Sequence, residues 1–352
     1  MINNELYKQD ICNVVDNVKS FDKLKNKTIV ISGATGLIGT FLIDVIMKKN
    51  IEEDLNCRIY GISRTPEKAK DKFSVYCDKL LSFVKADINS KIDVLLNEKI
   101  DYIIHLASNT HPVSYANDPI GTITTNVIGL NNLLEFGKET KCDRFLFTSS
   151  NEVYGENRGD TELFDENYCG YIDCNTLRAG YPESKRCGEA LCQAYISQYG
   201  MDIVIARLTR SFGPTLLKND TKALSQFIQK GINGQNIVLK SEGNQYYSYT
   251  YVADAVNGLL SVLLDGSCGG AYNVATEECD ITLKELASLV AKICDVNVIH
   301  ELPNETEAKG FSKATKARLN GRKIKEELGW KNLYSLDEGL RRTISVLRTI
   351  KD

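Results

Sequence analysis

At 352 residues the chain fits one large α/β unit plus a smaller appended lobe, since domains usually run about 100–200 residues. Its 43% apolar and 25% charged composition can fill a sizeable core, and a net charge of −3 argues against the concentrated basic surface that nucleic acid requires. No stretch approaches the roughly 20 apolar residues that span a bilayer, the N-terminal MINNELYKQDIC lacks the apolar core of a secretory signal, and eleven cysteines without a CxxC pair, beside three histidines, offer no metal-ligand spacing.

Reduced thiols buried in the core, a cytoplasmic location and no metal are therefore expected. Leu6, Ile11, Val14, Val15, Val18 and Phe21 recur at helical spacing, which predicts a short helix within residues 5–25, packed outside the main domain. Lys27–Ser32 (KTIVIS) reads as a buried strand, followed by a glycine turn and an apolar helix over Leu37–Lys48. Further strands are expected at Arg58–Ser63, Ser82–Ala86, Asp101–Ala107, Asp143–Ser149 and Asp202–Leu208, with long helices at about 119–140 and 181–199. Strands alternating with helices imply a parallel sheet covered on both faces, a doubly wound Rossmann sheet of the α/β class. After residue 209 shorter polar pieces take over, rich in turn glycines (Gly231, Gly234, Gly243, Gly269, Gly270). The main domain is read as 1–208 with 246–274, including a helical extension over 1–26. The smaller substrate-binding lobe is 209–245 with 275–335, and a last helix covers 336–352.

Gly33-Ala34-Thr35-Gly36-Leu37-Ile38-Gly39 lies between the first strand and the first long helix. Glycines there let the backbone turn tightly and approach a pyrophosphate, which the helix N-terminus stabilises. The GxxGxxG spacing resembles the short-chain dehydrogenase/reductase superfamily. That resemblance implies a tightly bound NAD or NADP, with Asp87-Ile88 past the third strand holding the adenine amino group. His105-Leu106-Ala107-Ser108 looks like the superfamily's HLAA segment under the cofactor. A helix N-cap is the bland alternative for Asp87. A carboxylate ending the second strand would take the ribose hydroxyls of NAD, whereas an Arg would accept the 2′-phosphate of NADP. Gly61-Ile62-Ser63-Arg64 offers the cation and no acid, but Arg64 also reads as a solvated loop residue, and related sugar enzymes mostly use NAD. The choice stays open.

Tyr181-Pro182-Glu183-Ser184-Lys185 begins a helix, and positions i and i+4 share a helix face, so both side chains can enter one cleft. A phenol titrates near 10; a neighbouring ammonium and a positive nicotinamide ring favour its phenolate. Tyr181 can then take a proton from a sugar hydroxyl while hydride leaves the same carbon.

Thr148-Ser149-Ser150-Asn151-Glu152-Val153-Tyr154-Gly155 resembles the STDEVYG and STSEVYG segments of nucleotide-sugar 4,6-dehydratases and UDP-glucuronate decarboxylases. The resemblance puts Ser150 on the hydroxyl that bonds the substrate 4-oxygen. It puts Glu152 on the glutamate that both groups carry, and Asn151 where dehydratases have Asp and decarboxylases Ser. The resemblance makes Glu152 a second acid/base near C5, and a buried helix-cap residue is the bland alternative. Arg178, with Tyr181, Lys185 and Arg186, looks like the decarboxylase PRxxYxxxKR, and Arg207–Pro214 looks like its RxFNxYGP. Leu328-Gly329-Trp330 matches the closing LGW. Three positions depart from the pattern: Arg210 stands for Asn, Tyr247 for the Arg that grips the diphosphate, and Ala317 (beside Arg318) for a further Arg. Arg210 is expected to have taken over the diphosphate from across the pocket.

The resemblance implies a nucleotide-sugar substrate, oxidation at C4 and a homodimer built on the helices at 119–140 and 181–199. UDP-glucuronate decarboxylation is favoured over 4,6-dehydration, because Asn151 cannot protonate a leaving hydroxyl. Epimerisation stays open, and a cofactor sensor without catalysis is the answer from another class. Arg178, Arg210, Tyr247 and Arg318 are the expected substrate contacts.

Overall fold

The computed structural model describes residues 1–76, 80–110, 117–217, 220–301 and 315–351. Residues 302–314 of the expected lobe lie outside them. In chain order the first half runs α1 (Glu5–Asn17), β1 (Thr28–Ser32), α2 (Leu37–Glu53), β2 (Arg58–Ser63), α3 (Pro66–Lys72) and β3 (Leu81–Lys85). It continues through β4 (Tyr102–His105), α4 (Pro119–Thr140), β5 (Arg144–Ser150), α5 (Gly180–Tyr199) and β6 (Ile203–Leu208). The second half holds β7 (Arg210–Phe212), α6 (Ala223–Ile232), β8 (Ile237–Leu239), β9 (Tyr246–Tyr251), α7 (Val252–Asp265) and β10 (Ala271–Val274). After these come β11 (Asp280–Thr282), α8 (Leu283–Cys294), β12 (Val298–His300), β13 (Lys316–Ala317), α9 (Arg322–Leu328) and α10 (Leu336–Lys351).

Seven strands form one parallel sheet in the order β10-β6-β5-β4-β1-β2-β3. Apolar side chains alternate between its two faces because successive residues of a strand point opposite ways. Val30, Ile103, Phe145 and Phe147 pack under α4 and α5, against Leu130, Leu133 and Cys192. Ile29, Ile31, Ile104 and Leu146 belong to the opposite cluster, with Phe41 and Val45 of α2 and Val256 and Leu260 of α7. Both faces are covered, which is why the strands read as continuous apolar runs. The winding reverses between β1 and β4, and the crevice past the strand ends at such a reversal is where open α/β sheets bind ligands.

Two stretches differ from the sequence reading. Tyr246–Val274 was expected to return to the main sheet; β10 does so beside β6, whereas β9 pairs with β7, β11 and β13 in a separate four-stranded sheet. β9 is an aromatic, almost wholly buried strand, and such a strand reads alike in either sheet until its partner is known. The N-terminal helix is also more than an outer layer: Tyr7, Asp10 and Val14 of α1 are fully buried. Tyr7 donates to Asp44 of α2 at 2.5 Å, and Asp10 accepts from Tyr251 (2.5 Å) and from Arg342 Nε of α10 (2.6 Å). The two ends of the chain are thereby clamped to each other and to both sheets' helices. Among the described residues no helix is long and apolar enough to cross a membrane.

Candidate active site

The glycine loop packs where its sequence requires. Gly33 has φ +74°, and a Cβ there would lie 2.6 Å from the Ala107 nitrogen; one at Gly39 would lie 2.4 Å from the Gly33 carbonyl oxygen. These glycines let the loop press on the end of β4 and on its own helix. At Gly36 an added Cβ would meet only the Gly33 oxygen, at 3.3 Å, and Gly36 caps α2 without any side-chain hydrogen bond. The first-turn amides of α2 are thus left for an anion. Beneath them Ser32 Oγ bonds His105 Nδ1 at 2.7 Å, and burial pushes the His105 imidazole down to about 3, so it is neutral.

A cavity of about 630 Å³ opens beside this loop. Gly33, Gly36, Leu37, Ile38 and Gly39 form one wall, with Leu106 and Ser108 past β4. Ser150, Asn151 and Glu152 at the end of β5, Arg178, and Tyr181 and Lys185 on α5 form the next. The smaller lobe closes it with Arg210, Tyr247 and Tyr249. The other expected cofactor residues lie outside this lining. Thr35 and Ala107 sit in the loop and under it, and Ile88 is buried against α4 at Gly129. Ser63 Oγ accepts from the Thr65 amide (3.1 Å), Arg64 is exposed, and exposed Asp87 accepts from the Asn89 amide (3.0 Å).

Tyr181 and Lys185 are both buried one turn apart, as the i, i+4 spacing demands. Lys185 Nζ donates to the Thr148 carbonyl at 2.9 Å, and burial draws its pKa down to about 8. The Tyr181 phenol is pushed above its ordinary value, by burial first and then by the Glu152 charge. Hydrogen bonds with Ser150 and Ser108 and the Arg178 charge pull it back. The spacing predicts a phenol lowered by the Lys185 ammonium; burial and the Glu152 charge carry it the other way. Two positions that no motif marks hold the tyrosine's turn in place: Ser108 Oγ donates to Asn126 (2.7 Å), Asn126 to Ser184 Oγ (2.9 Å), and Ser184 to the Tyr181 carbonyl (2.8 Å).

Glu152 follows β5 in a single tight turn whose amide is capped by Ser150 Oγ at 3.3 Å. Both of its carboxylate oxygens lie 2.6 Å from Arg178 Nη2, so acid and cation form one pair on the cavity wall. Arg210 lies over the Tyr247 ring, with Cζ 3.5 Å from its centroid, and its Nη1 is buried with no hydrogen-bond partner among the described residues. Arg318 is not brought to the cavity: its Nε is 2.7 Å from buried Asp280, and it stacks on Tyr246. Sequence reasoning also missed Lys222, Lys240 and Gln226, which line the lobe side of the cavity without forming a motif.

Residues 29–275 match the NAD dependent epimerase/dehydratase family. The chain belongs to that family. A UDP-glucuronic acid decarboxylase 1 from Danio rerio is 31% identical over 334 residues, covering 93% of this chain and 74% of that protein. In fold it is similar to the UDP-glucuronic acid 4-epimerase of Bacillus cereus, solved with UDP-glucuronic acid and NAD (22% identity, TM-score 0.78, 92% of this chain and 99% of that one). A dTDP-glucose 4,6-dehydratase from Streptomyces venezuelae, solved with NAD, is likewise similar in fold (23% identity, TM-score 0.77, 92% and 97%). The uncapped start of α2, the open face at Gly36 and the buried Tyr181–Lys185 pair fit a nicotinamide dinucleotide.

Proposed function

We propose that this protein is a nucleotide-sugar enzyme that oxidises its substrate at C4, and that its reaction is the decarboxylation of UDP-glucuronate. The Glu152–Arg178 pair carries the choice of reaction. A dehydratase needs a free base to remove the C5 proton, whereas Glu152 is held at 2.6 Å by a guanidinium. A C5 carboxylate β to a C4 ketone leaves as CO₂ without prior deprotonation of C5. Its bonding pair passes to the C4 oxygen as an enolate, and C5 is then protonated. The decarboxylase relative supports the same reading.

The residues then divide the work. Bound NAD(P) supplies a hydride acceptor for C4 and a positive ring. Tyr181 receives the 4-hydroxyl proton once its phenol has ionised and returns it later; Ser150, bonded to the same phenol, steadies the 4-oxygen. Lys185 holds a cation one turn along, on the Thr148 carbonyl. Arg210 is the proposed diphosphate contact, because a half-buried arginine on a cavity wall whose buried Nη1 is unmatched among the described residues calls for an anion. Asn151 and Tyr247 shape the remaining wall.

A homodimer and a cytoplasmic setting belong to the same proposal. Ile120 is 74% exposed and Ile123 42% exposed on α4, and Ile123 touches α5 at Gly180, an apolar strip suited to a second copy. All described cysteines are free thiols. The deciding experiment incubates the purified protein with UDP-glucuronate and with UDP-, GDP-, CDP- and dTDP-hexoses and weighs the products. Loss of CO₂ from UDP-glucuronate alone supports the reading; loss of water identifies a 4,6-dehydratase, no mass change with inversion an epimerase. Dinucleotide binding without any turnover identifies a sensor.

A further inference from the structure

Three consecutive residues at the end of β5 each hold one turn of α5. Ser150 bonds the Tyr181 phenol, the Thr148 carbonyl accepts from Lys185 Nζ at 2.9 Å, and Ser149 Oγ donates to Glu189 Oε1 at 2.6 Å. Tyr181, Lys185 and Glu189 stand four residues apart on α5, so they share one helix face. No motif marks the third of them.

Arg207 of β6 anchors Glu189 from the other side. It is the register partner of Ser149, and its guanidinium grips the carboxylate at two points, Nε to Oε1 at 2.9 Å and Nη2 to Oε2 at 2.6 Å. A planar fork of this kind fixes a carboxylate in direction as well as in distance. Both side chains are largely buried, at 14% and 11% exposure, so solvent screens the pair little. The remaining nitrogen, Nη1, donates to the Tyr154 hydroxyl at 2.9 Å and to the Glu166 carbonyl at 2.8 Å. Tyr154 closes the turn that carries Glu152, so one guanidinium ties α5 to the strand end and to that turn.

Lys185 depends on such a neighbour. Burial disfavours its ammonium, and the carbonyl that accepts from it is neutral. Around it stand the Phe147 ring of β5 (Nζ 4.9 Å from the centroid), the neutral His105 imidazole of β4, and Tyr181, Glu189 and the Cys192 thiol of α5. Glu189 is the carboxylate among them, and its charge offsets part of the burial that draws Lys185 down to about 8.

We propose that Glu189 is a positioning residue for C4 oxidation: held by Arg207, it seats the end of β5 against α5 and keeps the Lys185 cation beside Tyr181. The inference rests on the Tyr181–Lys185 chemistry of the proposed function and holds whichever sugar is processed.

Kinetics of the full-length protein on the nucleotide sugar that wild type turns over tests it. Glu189→Gln keeps an acceptor for Ser149 and removes the charge. Without that charge the Lys185 pKa falls further and the cation is lost at lower pH. The variant should lose about ten-fold or more in kcat, with the sugar KM and the dinucleotide affinity within about three-fold of wild type. The alkaline limb of its kcat profile should move to lower pH. Ser149→Ala removes the hydrogen bond alone; it should cost about three- to ten-fold in kcat and leave the limb in place. An unchanged kcat or an unmoved limb in Glu189→Gln overturns the proposal and makes Glu189 a packing residue. Because that variant leaves the Arg207 charge unmatched, Glu189→Gln with Arg207→Met is measured beside it; removing both charges of a buried pair destabilises far less than removing one. The same limb shift is expected, and a wild-type limb overturns the proposal. A cycle of Lys185→Met and Glu189→Gln in urea unfolding needs no turnover, so it separates failure of this inference from failure of the sugar reading. Their coupling should be present at about pH 7 and vanish by about pH 10, above the folded Lys185 value of about 8. Coupling absent at neutral pH, or equal at both, overturns the proposal.

Discussion

The Arg210 guanidinium lies over the Tyr247 ring, with its central carbon 3.5 Å from the ring centroid. They sit on neighbouring strands, β7 and β9, and Tyr247 lies two residues before Tyr249, the register partner of Arg210. Here the cation stands at position 210 and an aromatic ring at position 247, and both line the cavity. The ring packs against the guanidinium, and the Arg210 Nη1 is left with no hydrogen-bond partner among the described residues.

Arg210→Met should therefore act on binding. It keeps the stem that packs on Tyr247 and removes the charge. The KM for the nucleotide sugar is expected to rise about 10–100-fold, the range of a buried charge-assisted hydrogen bond, with kcat little changed. Steady-state kinetics separates the two; a fall in kcat at constant KM would remove Arg210 from the diphosphate contact.

The Tyr181 phenol reports its neighbours through pH. The Glu152 charge raises its pKa and the Arg178 charge lowers it. Glu152→Gln should shift the phenol-dependent limb of the kcat profile to lower pH, and Arg178→Met should shift it to higher pH. Under the decarboxylase reading, Glu152→Gln still releases CO₂. Tyr181→Phe should lose roughly 10²–10⁴ in rate and show no reduced-nicotinamide absorbance on adding substrate. Stalling of Glu152→Gln at a reduced cofactor would move the assignment to a C5 base and hence to dehydration.

Lys185 makes stability depend on alkaline pH. Its folded pKa of about 8 lies below the unfolded value of 10.5, so the unfolded chain binds the extra proton between them. The residue's contribution is present above the unfolded value and is lost as pH falls through about 8. Urea unfolding of wild type minus Lys185→Met should show wild type gaining stability from neutral pH to about pH 10, by on the order of 1–3 kcal/mol. A flat difference would mean the buried ammonium is compensated.

The two kinds of glycine in the loop should respond differently. Gly36 has φ −74° and an open flank, so Gly36→Val should leave the melting temperature almost unchanged and abolish dinucleotide binding by filling the cradle. Gly39→Ala drives a methyl to 2.4 Å from the Gly33 oxygen and 2.8 Å from Ala34 Cα, both backbone atoms. It should cost about 1–3 kcal/mol of stability, read by thermal unfolding, whatever its effect on the cofactor.

The local signals of this chain were sufficient for the parallel sheet and for bringing Tyr181 and Lys185 together on one buried helix face. Buried strands announce themselves as apolar runs, a glycine loop has few other uses after a first strand, and Tyr181 and Lys185 share a helix face by their spacing alone. Helix α4 begins and ends where its periodicity places it, at Pro119 and Thr140. Partners distant in sequence carry no such periodicity. That β9 joins β7 in place of the main sheet, that Tyr7 and Asp10 tie the first helix to Asp44 and Arg342, and that Arg318 is spent on Asp280 away from the cavity are all decided by which surfaces meet. The same holds for two charges beside the cavity and the glycine loop. Glu152 finds Arg178 across 26 positions and Lys72 finds Thr35 across 37, and a charge acquires its chemistry from neighbours that folding alone supplies.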